Sequence, residues 1–389
     1  MYKIKLLNKI SPFGINRLDR AKYIVSEDVE EPEAILVRSA KMHGYAFEDN
    51  LLAIARAGAG TNNIPVADCA ERGIVVFNTP GANADAVKEL ALAALLLSSR
   101  DILGGIDWVK TQAGLEDAVA ANVEAEKAKF VGPELGGKKL GVIGLGAIGA
   151  KIANDAVHLG MEVYGYDPYL SVDGAWRLRA NIHHARDLAT IYHNCDYITI
   201  HVPYTDATHE FINRDAIAQM KDGVNIINLA RAELVCDDDI LAGIAAGKVH
   251  RYVTDFPNGK TAGAPGVIAV PHLGASTPES EDKCAVMAAD QLADYIENGN
   301  IINSVNMPRA VMERAPGTKR VCLFHQNIPD MISRTTHVLS AHGLNIENMF
   351  NTAIKGYELA YTMIDYSGEG DGILTELRTI EGVLRARIV

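Results

Sequence analysis

The chain has 389 residues, 48% of them hydrophobic and 22% charged, the balance of an ordinary globular protein with room for two or three domains. Its net charge of −12 argues against nucleic acid or an anionic membrane as the default partner, since both select a basic face. The five cysteines stand singly without a C-x-x-C pair, which suggests neither a disulfide framework nor a zinc knuckle and suits a reducing cytoplasm.

In chain order, the opening residues 1–10 are too short in their apolar part for a signal peptide, and the longest apolar run, 90–97, falls far below the roughly 18 residues of a membrane helix. Short β-branched runs at 34–37, 51–55 and 74–77 alternate with Ala- and Leu-rich stretches, the rhythm of βαβ units on a parallel sheet. A helix is predicted over 84–98 with Asn83 as its cap. The polar segment 111–129 reads as one further helix, a linker or an interface arm.

Strands are predicted at the run before Gly144, at 161–166, 195–203, 224–231 and 251–254. A long helix follows over 279–297, its apolar residues recurring at helical spacing. The pattern breaks near 303–308 and at Pro316-Gly317. Beyond it come strand 321–324, helix 329–342, strands 346–353 and 357–364, helix 372–379 and strand 383–389, a small βαββαβ domain.

The stretch Leu140-Gly-Val-Ile-Gly-Leu-Gly-Ala-Ile-Gly149 places a G-x-G-x-x-G pattern at Gly144, Gly146 and Gly149, after an apolar strand and at the opening of a helix. The first glycine permits the tight turn, the second lets backbone amides approach a pyrophosphate, and the third lets helix and sheet sit close. Ala147 and Ile148 then lie at the positive end of that helix, where phosphate binds. A second strand ends at Asp167, an acid placed to bond ribose hydroxyls and to repel a 2′-phosphate, so NAD is the expected cofactor.

With His201-Val202-Pro203, Asn228-Leu-Ala-Arg231 and Pro271-His-Leu-Gly-Ala-Ser-Thr277 added in order, the chain resembles the D-isomer-specific 2-hydroxyacid dehydrogenases from about residue 34 to 305. The resemblance implies that Arg231 binds the substrate carboxylate and polarises the reacting carbonyl, and that His272 is the general acid–base. It further implies cofactor contacts at His201, Val202, Pro203, Ala230 and Asp255, with Asp255 on the nicotinamide carboxamide. A guanidinium grips a carboxylate with two bonds, and an imidazole titrates near neutrality, so residue chemistry and resemblance agree. One element departs from the pattern. The family's glutamate that orients the histidine falls here on Asn258 or Gly259, and Glu279 and Glu281 are the remaining acids considered, so His272 is expected to work without a strong carboxylate partner.

The βαββαβ segment is similar to an ACT domain, and the combination resembles D-3-phosphoglycerate dehydrogenases. That implies oxidation of 3-phosphoglycerate to 3-phosphohydroxypyruvate, substrate contacts at Arg38, Ser39, Gly58, Ala59, Gly60 and Asn83 with Arg38 on the phosphate, and serine contacts at His325, Asn327 and Asn345. Asp330 stands where the family's serine loop has glycine. Lys127, Lys129 and Lys138 are further candidate positive charges. His183-His184 reads as a surface pair, Cys236 as a small buried hydrophobe, and no metal site is expected.

The expected architecture is α/β: a Rossmann NAD-binding domain at 99–274 inserted in a flavodoxin-like substrate domain at 1–98 and 275–310, with an ACT-like regulatory domain at 318–389. A cytoplasmic homodimer or homotetramer is expected, with no nucleic-acid or membrane partner. Two alternatives stay open: a glyoxylate or hydroxypyruvate reductase, which does not need Arg38, and an NADH-sensing corepressor-like protein, which does not need His272.

Overall fold

The computed structural model describes residues 1–353 and 358–389. They form two units, one of Met1–Asn83 with Pro278–Val389 and one of Ala84–Thr277.

In the first unit, five parallel strands, β1 (Tyr2–Leu7), β2 (Tyr23–Ser26), β3 (Ala34–Val37), β4 (Ala53–Arg56) and β5 (Val75–Phe77), lie in the order β2-β1-β3-β4-β5. This is the flavodoxin-like order. All four residues of β3 are buried, as an inner strand covered on both faces requires. The long helix Pro278–Asn298 covers one face with Ala285, Ala288, Ala289, Leu292, Tyr295 and Ile296, packed with Ile4, Leu36, Ala55 and Phe77.

In the second unit, β6 (Lys139–Ile143), β7 (Glu162–Tyr166), β8 (His183–His184), β9 (Tyr197–Ile200), β10 (Val224–Asn228), β11 (Val249–Thr254) and β12 (Val267–Ala269) pair in parallel in the order β12-β11-β10-β9-β6-β7-β8. The strand order reverses between β6 and β9, the switch point at which doubly wound sheets take their ligands. Helix Ala84–Ser99 belongs to this unit rather than to the substrate domain, because Val87, Ala91, Ala94 and Leu95 share a core with Ile152, Ala153 and Ala156. Of the helix predicted over 111–129, Ala118–Glu126 is α-helical and runs into a 3-10 turn at Lys127–Phe130, whereas 111–117 is a turn in which Gly114 has φ +83°; a separate helix, Ile102–Lys110, precedes that turn.

The C-terminal strands β13 (Lys319–Gln326), β14 (Asn345–Ala353), β15 (Leu359–Ser367) and β16 (Val383–Ile388) form an antiparallel sheet in the order β14-β15-β13-β16. Helices Met331–Ala341 and Ile373–Thr379 complete the βαββαβ order. The predicted start of its third strand, Tyr357, lies outside the described residues. One face packs Val321, Leu323, Ile364 and Tyr366 against the two helices. The other sends Cys322, Phe324, Tyr361 and Met363 into the core that holds Tyr295 and Phe77, so this sheet is part of the first unit rather than an independent domain.

A helix leaves its last four carbonyls without intrahelical donors. In Pro278–Asn298 the C-terminal segment supplies the donors: Arg387 to Tyr295 O and, at 2.9 Å, to Ile296 O; Arg314 to Glu297 O at 2.7 Å; Arg320 to Asn298 O at 2.7 Å. Tyr361 Oη donates to Gly299 O at 2.7 Å just beyond.

Candidate active site

Gly144 ends β6 with φ +91°, and a side chain there would meet His201 O at 2.5 Å. Gly149 is equally constrained, since its Cβ would lie 1.9 Å from Gly144 O. Gly146 differs: it caps helix Ala147–His158, is exposed, and has nothing within 4 Å of the position a Cβ would take. Two of the glycines are therefore required by packing, while the middle one leaves open space at the start of a helix whose first amides lack intrahelical acceptors.

Asp167 follows β7 and braces this loop, accepting Leu145 N–H on Oδ2 and Tyr169 N–H on Oδ1, each at 2.9 Å. The donor set and the open position fit a dinucleotide, with Gly146, Ala147 and Ile148 as the residues that would hold its pyrophosphate and Asp167 its ribose. Among the described residues no group of His, Cys, Asp or Glu is arranged to hold a metal ion.

His201 follows β9, its N–H donating to Ile143 O at 2.7 Å and Nε2 lying 2.8 Å from Thr199 Oγ1. Burial lowers the imidazole pKa to about 3, so the ring stays neutral. Val202 is half-buried and Pro203 exposed beside it.

β10 stops at Asn228 rather than running on to Arg231. The buried Asn228 side chain accepts Ala230 N–H at 3.2 Å and donates to Arg231 O at 2.7 Å. This is an Asx-type turn, whose signal is an asparagine at a strand end; the sequence reading had Asn228 in the motif without giving it this task. Arg231 itself is exposed, and its Nη1 donates to Ala230 O at 2.6 Å.

β11 and β12 run side by side, Thr254 opposite Ala269, and Asp255 and His272 follow just past their ends. Asp255 is 1% exposed; its Oδ2 accepts Gly274 N–H at 3.1 Å, while Oδ1 is buried with no partner. Burial raises its pKa, with the Gly274 amide, His272 and Arg231 opposing. His272 is exposed, its ring centroid 4.9 Å from that of Phe256. The second unit thus brings Asp255, His272 and Arg231 within electrostatic reach of one another.

In the first unit, Arg38 follows β3, and its Nη2 lies 2.5 Å from Glu281 Oε1. Glu281, weighed from the sequence as a partner for His272, is therefore the partner of Arg38. Ser39 N–H donates to Asn8 Oδ1 at 3.1 Å. After β4 the carbonyls of Gly58, Ala59 and Gly60 accept from Thr79 N–H, Asn78 and Arg56, leaving the amides of Ala59 and Gly60 without acceptors among the described residues. Asn83 Oδ1 is buried without a partner rather than capping the helix that follows.

Lys127 and Lys129 pair with Glu124 and Glu126 of their own segment. His183 stacks on Tyr164 near Glu162. Cys236 is only half-buried and opens helix Asp237–Ala245.

The proposed effector residues divide. His325 is 2% exposed and both ring nitrogens are taken, Nδ1 by Gln326 O at 2.7 Å and Nε2 by Thr362 Oγ1 at 2.8 Å, so as placed it is a structural residue of the sheet. Asn327 and Asn345 are exposed, Asn345 donating to Glu347. Asp330 has φ +68°, which is the physical reason for glycine at that position in similar loops.

Residues 92–274 match the model of the D-isomer specific 2-hydroxyacid dehydrogenase NAD binding domain. The chain is 30% identical over 351 residues to the D-3-phosphoglycerate dehydrogenase of Haemophilus influenzae, covering 87% of this chain and 81% of that one. It is 35% identical over 281 residues to the hydroxypyruvate reductase of Thermotoga maritima, covering 68% and 85%. In fold it is similar to the NAD+-bound 3-phosphoglycerate dehydrogenase of Entamoeba histolytica, with a TM-score of 0.60 at 23% identity over 78% of this chain and 98% of that one. No helix among the described residues is long and apolar enough to cross a membrane.

Proposed function

The chain belongs to the D-isomer-specific 2-hydroxyacid dehydrogenase family, and from that premise we propose that it oxidises 3-phosphoglycerate to 3-phosphohydroxypyruvate. The observation that carries this reading is a second arginine at the carboxyl end of a strand. Arg231 follows β10 and supplies a cation for the carboxylate, while Arg38 follows β3, in the unit that also holds the unpartnered amides of Ala59 and Gly60, and supplies one for a phosphate. The Haemophilus relative, matched over most of both chains, supports the same substrate.

When bound, NAD supplies the nicotinamide that accepts the hydride from the substrate's C2. His272 takes the hydroxyl proton through a ring nitrogen, so that hydride and proton leave together and C2–O becomes a carbonyl. Arg231 exchanges its bond to Ala230 O for the substrate carboxylate, fixing the C2 end of the molecule.

A second reading, a hydroxypyruvate reductase, is favoured by two observations: the Thermotoga relative is more identical over its span, and Arg38 is already paired with Glu281. The test is NADH consumption with phosphohydroxypyruvate against hydroxypyruvate. A preference of about tenfold or more for the phosphorylated acid, lost in Arg38→Ala, is expected for a charge-assisted phosphate contact; equal kcat/KM values that ignore Arg38→Ala establish the second reading.

A cytoplasmic homodimer or homotetramer is part of the proposal. It rests on five free cysteines and on Leu103, Ile106 and Val109, apolar side chains three residues apart on one helix and 40–52% exposed, a face suited to cover by a second subunit. A serine effector contact narrows to Asn327 and Asn345.

A further inference from the structure

The glutamate that would orient His272 by resemblance is absent, and the residue standing there is committed elsewhere. Asn258 Nδ2 donates to Asp237 Oδ2 at 2.7 Å, and its Oδ1 accepts Lys260 N–H at 2.9 Å and Thr261 N–H at 3.2 Å. Glu281 is held by Arg38. A buried carboxylate oxygen with no donor is costly, and Asp255 Oδ1 is one, on a residue whose other oxygen is held by Gly274, two positions beyond His272.

The chain leaves the sheet in parallel at these two points. Thr254 pairs with Ala269, and Val270 N–H donates to Thr254 O at 2.9 Å, so Asp255 and His272 emerge from adjacent strand ends. The Phe256 ring, 4.9 Å from the imidazole, walls the same spot. Around Asp255 the charged and titratable groups are His272 and Arg231, with Tyr252 on its own strand. Helix Ala84–Ser99 presents the apolar Val87 to Gly274.

We propose that Asp255 is the positioning carboxylate of His272, its free Oδ1 holding the imidazolium that forms when the substrate hydroxyl gives up its proton. This rests on the reading of His272 as the acid–base group. One carboxylate, supplied by the neighbouring strand, thereby replaces the missing glutamate, and it also faces Arg231.

The test is an NMR titration of the His272 imidazole in the full-length protein, assigned with His272→Asn, in wild type and Asp255→Asn. Asparagine keeps the acceptor for Gly274 and removes the charge. The imidazole of Asp255→Asn is expected to lose its proton about one pH unit or more below that of the wild type, as for loss of an opposite charge at close range. The kcat/KM limb assigned to the histidine should move down by the same amount, with kcat falling about 10²-fold and substrate KM little changed. An unchanged His272 titration with only NADH affinity reduced would overturn the proposal, leaving Asp255 a nicotinamide contact. If Asp255→Asn fails to fold, Asp255→Glu, which keeps the charge and moves it by one methylene, takes its place, and a His272 titration unchanged there overturns the proposal. Absence of any 2-hydroxyacid turnover in wild type defeats the functional reading, and the NMR result still decides the Asp255–His272 pairing.

Discussion

Arg320 and Asp365 form an ion pair with both side chains wholly buried, Nε 2.5 Å from Oδ1 and Nη2 3.0 Å from Oδ2. The pair sits where the C-terminal sheet joins the rest of its unit, because Arg320 also donates to Asn298 O and Met312 O and Asp365 accepts Ala315 N–H. A buried pair is not by itself a source of stability, but removing one partner strands a charge. Arg320→Met or Asp365→Asn should cost about 3–5 kcal/mol, read from the midpoint of denaturant unfolding, and the double substitution Arg320→Met with Asp365→Leu should cost less than either single change. Equal or greater loss in the double variant contradicts this account.

Ending the chain at residue 316 should not leave a working enzyme. The cut removes Cys322, Phe324, Tyr361 and Met363 from a shared core, and with them the donors from Arg387, Arg320 and Tyr361 to the end of the long helix. The expected product is aggregated or binds hydrophobic dye; a soluble, cooperatively melting fragment would show that the sheet is dispensable.

Asp330→Gly should stabilise the protein. The left-handed backbone at φ +68° costs a residue with a Cβ about 1 kcal/mol, against which the substitution loses only the loose 3.6 Å ion pair with Arg334. A rise in Tm of a degree or more is expected on this scale, and a fall contradicts the strain argument.

The three glycines of the phosphate loop should separate by phenotype. Gly149→Ala places a methyl 1.9 Å from Gly144 O and should disturb the fold itself. Gly146→Ala has free space around it in the protein, so melting should be unchanged while NADH, followed by fluorescence, binds about tenfold more weakly because the pyrophosphate occupies that space. Unaltered NADH affinity in Gly146→Ala would remove the loop from the cofactor site.

His201 makes stability depend on pH with a definite sign. Its folded pKa is about 3 against an ordinary 6.5, so the unfolded chain binds the extra proton between these values. The contribution is fully present above pH 6.5 and lost as pH falls towards 3, at up to about 1.4 kcal/mol per pH unit, reduced to the extent that the side chain reaches solvent. His201→Gln should flatten the slope of unfolding free energy between pH 6.5 and 4.5; an unchanged slope assigns it to other groups.

What the sequence determined by itself was set by neighbours in the chain. Glycine spacing, the acid at the end of β7, the asparagine closing β10 and the βαββαβ periodicity are local signals, because turn chemistry and strand or helix repeat are decided within a few residues. The tertiary structure alone decided which distant groups meet. Glu281 lies on Arg38 across 243 positions, Arg320 on Asp365 across 45, and Arg387 on Ile296 across 91. A charge carries no label for its partner in the sequence; the partner is whichever opposite group the packed strands and helices bring within a few ångströms. For the same reason the C-terminal sheet reads as a separate module along the chain and yet shares a core with the first sheet: the alternation that gives β13 and β15 two apolar faces says that both are buried, but only packing says against what.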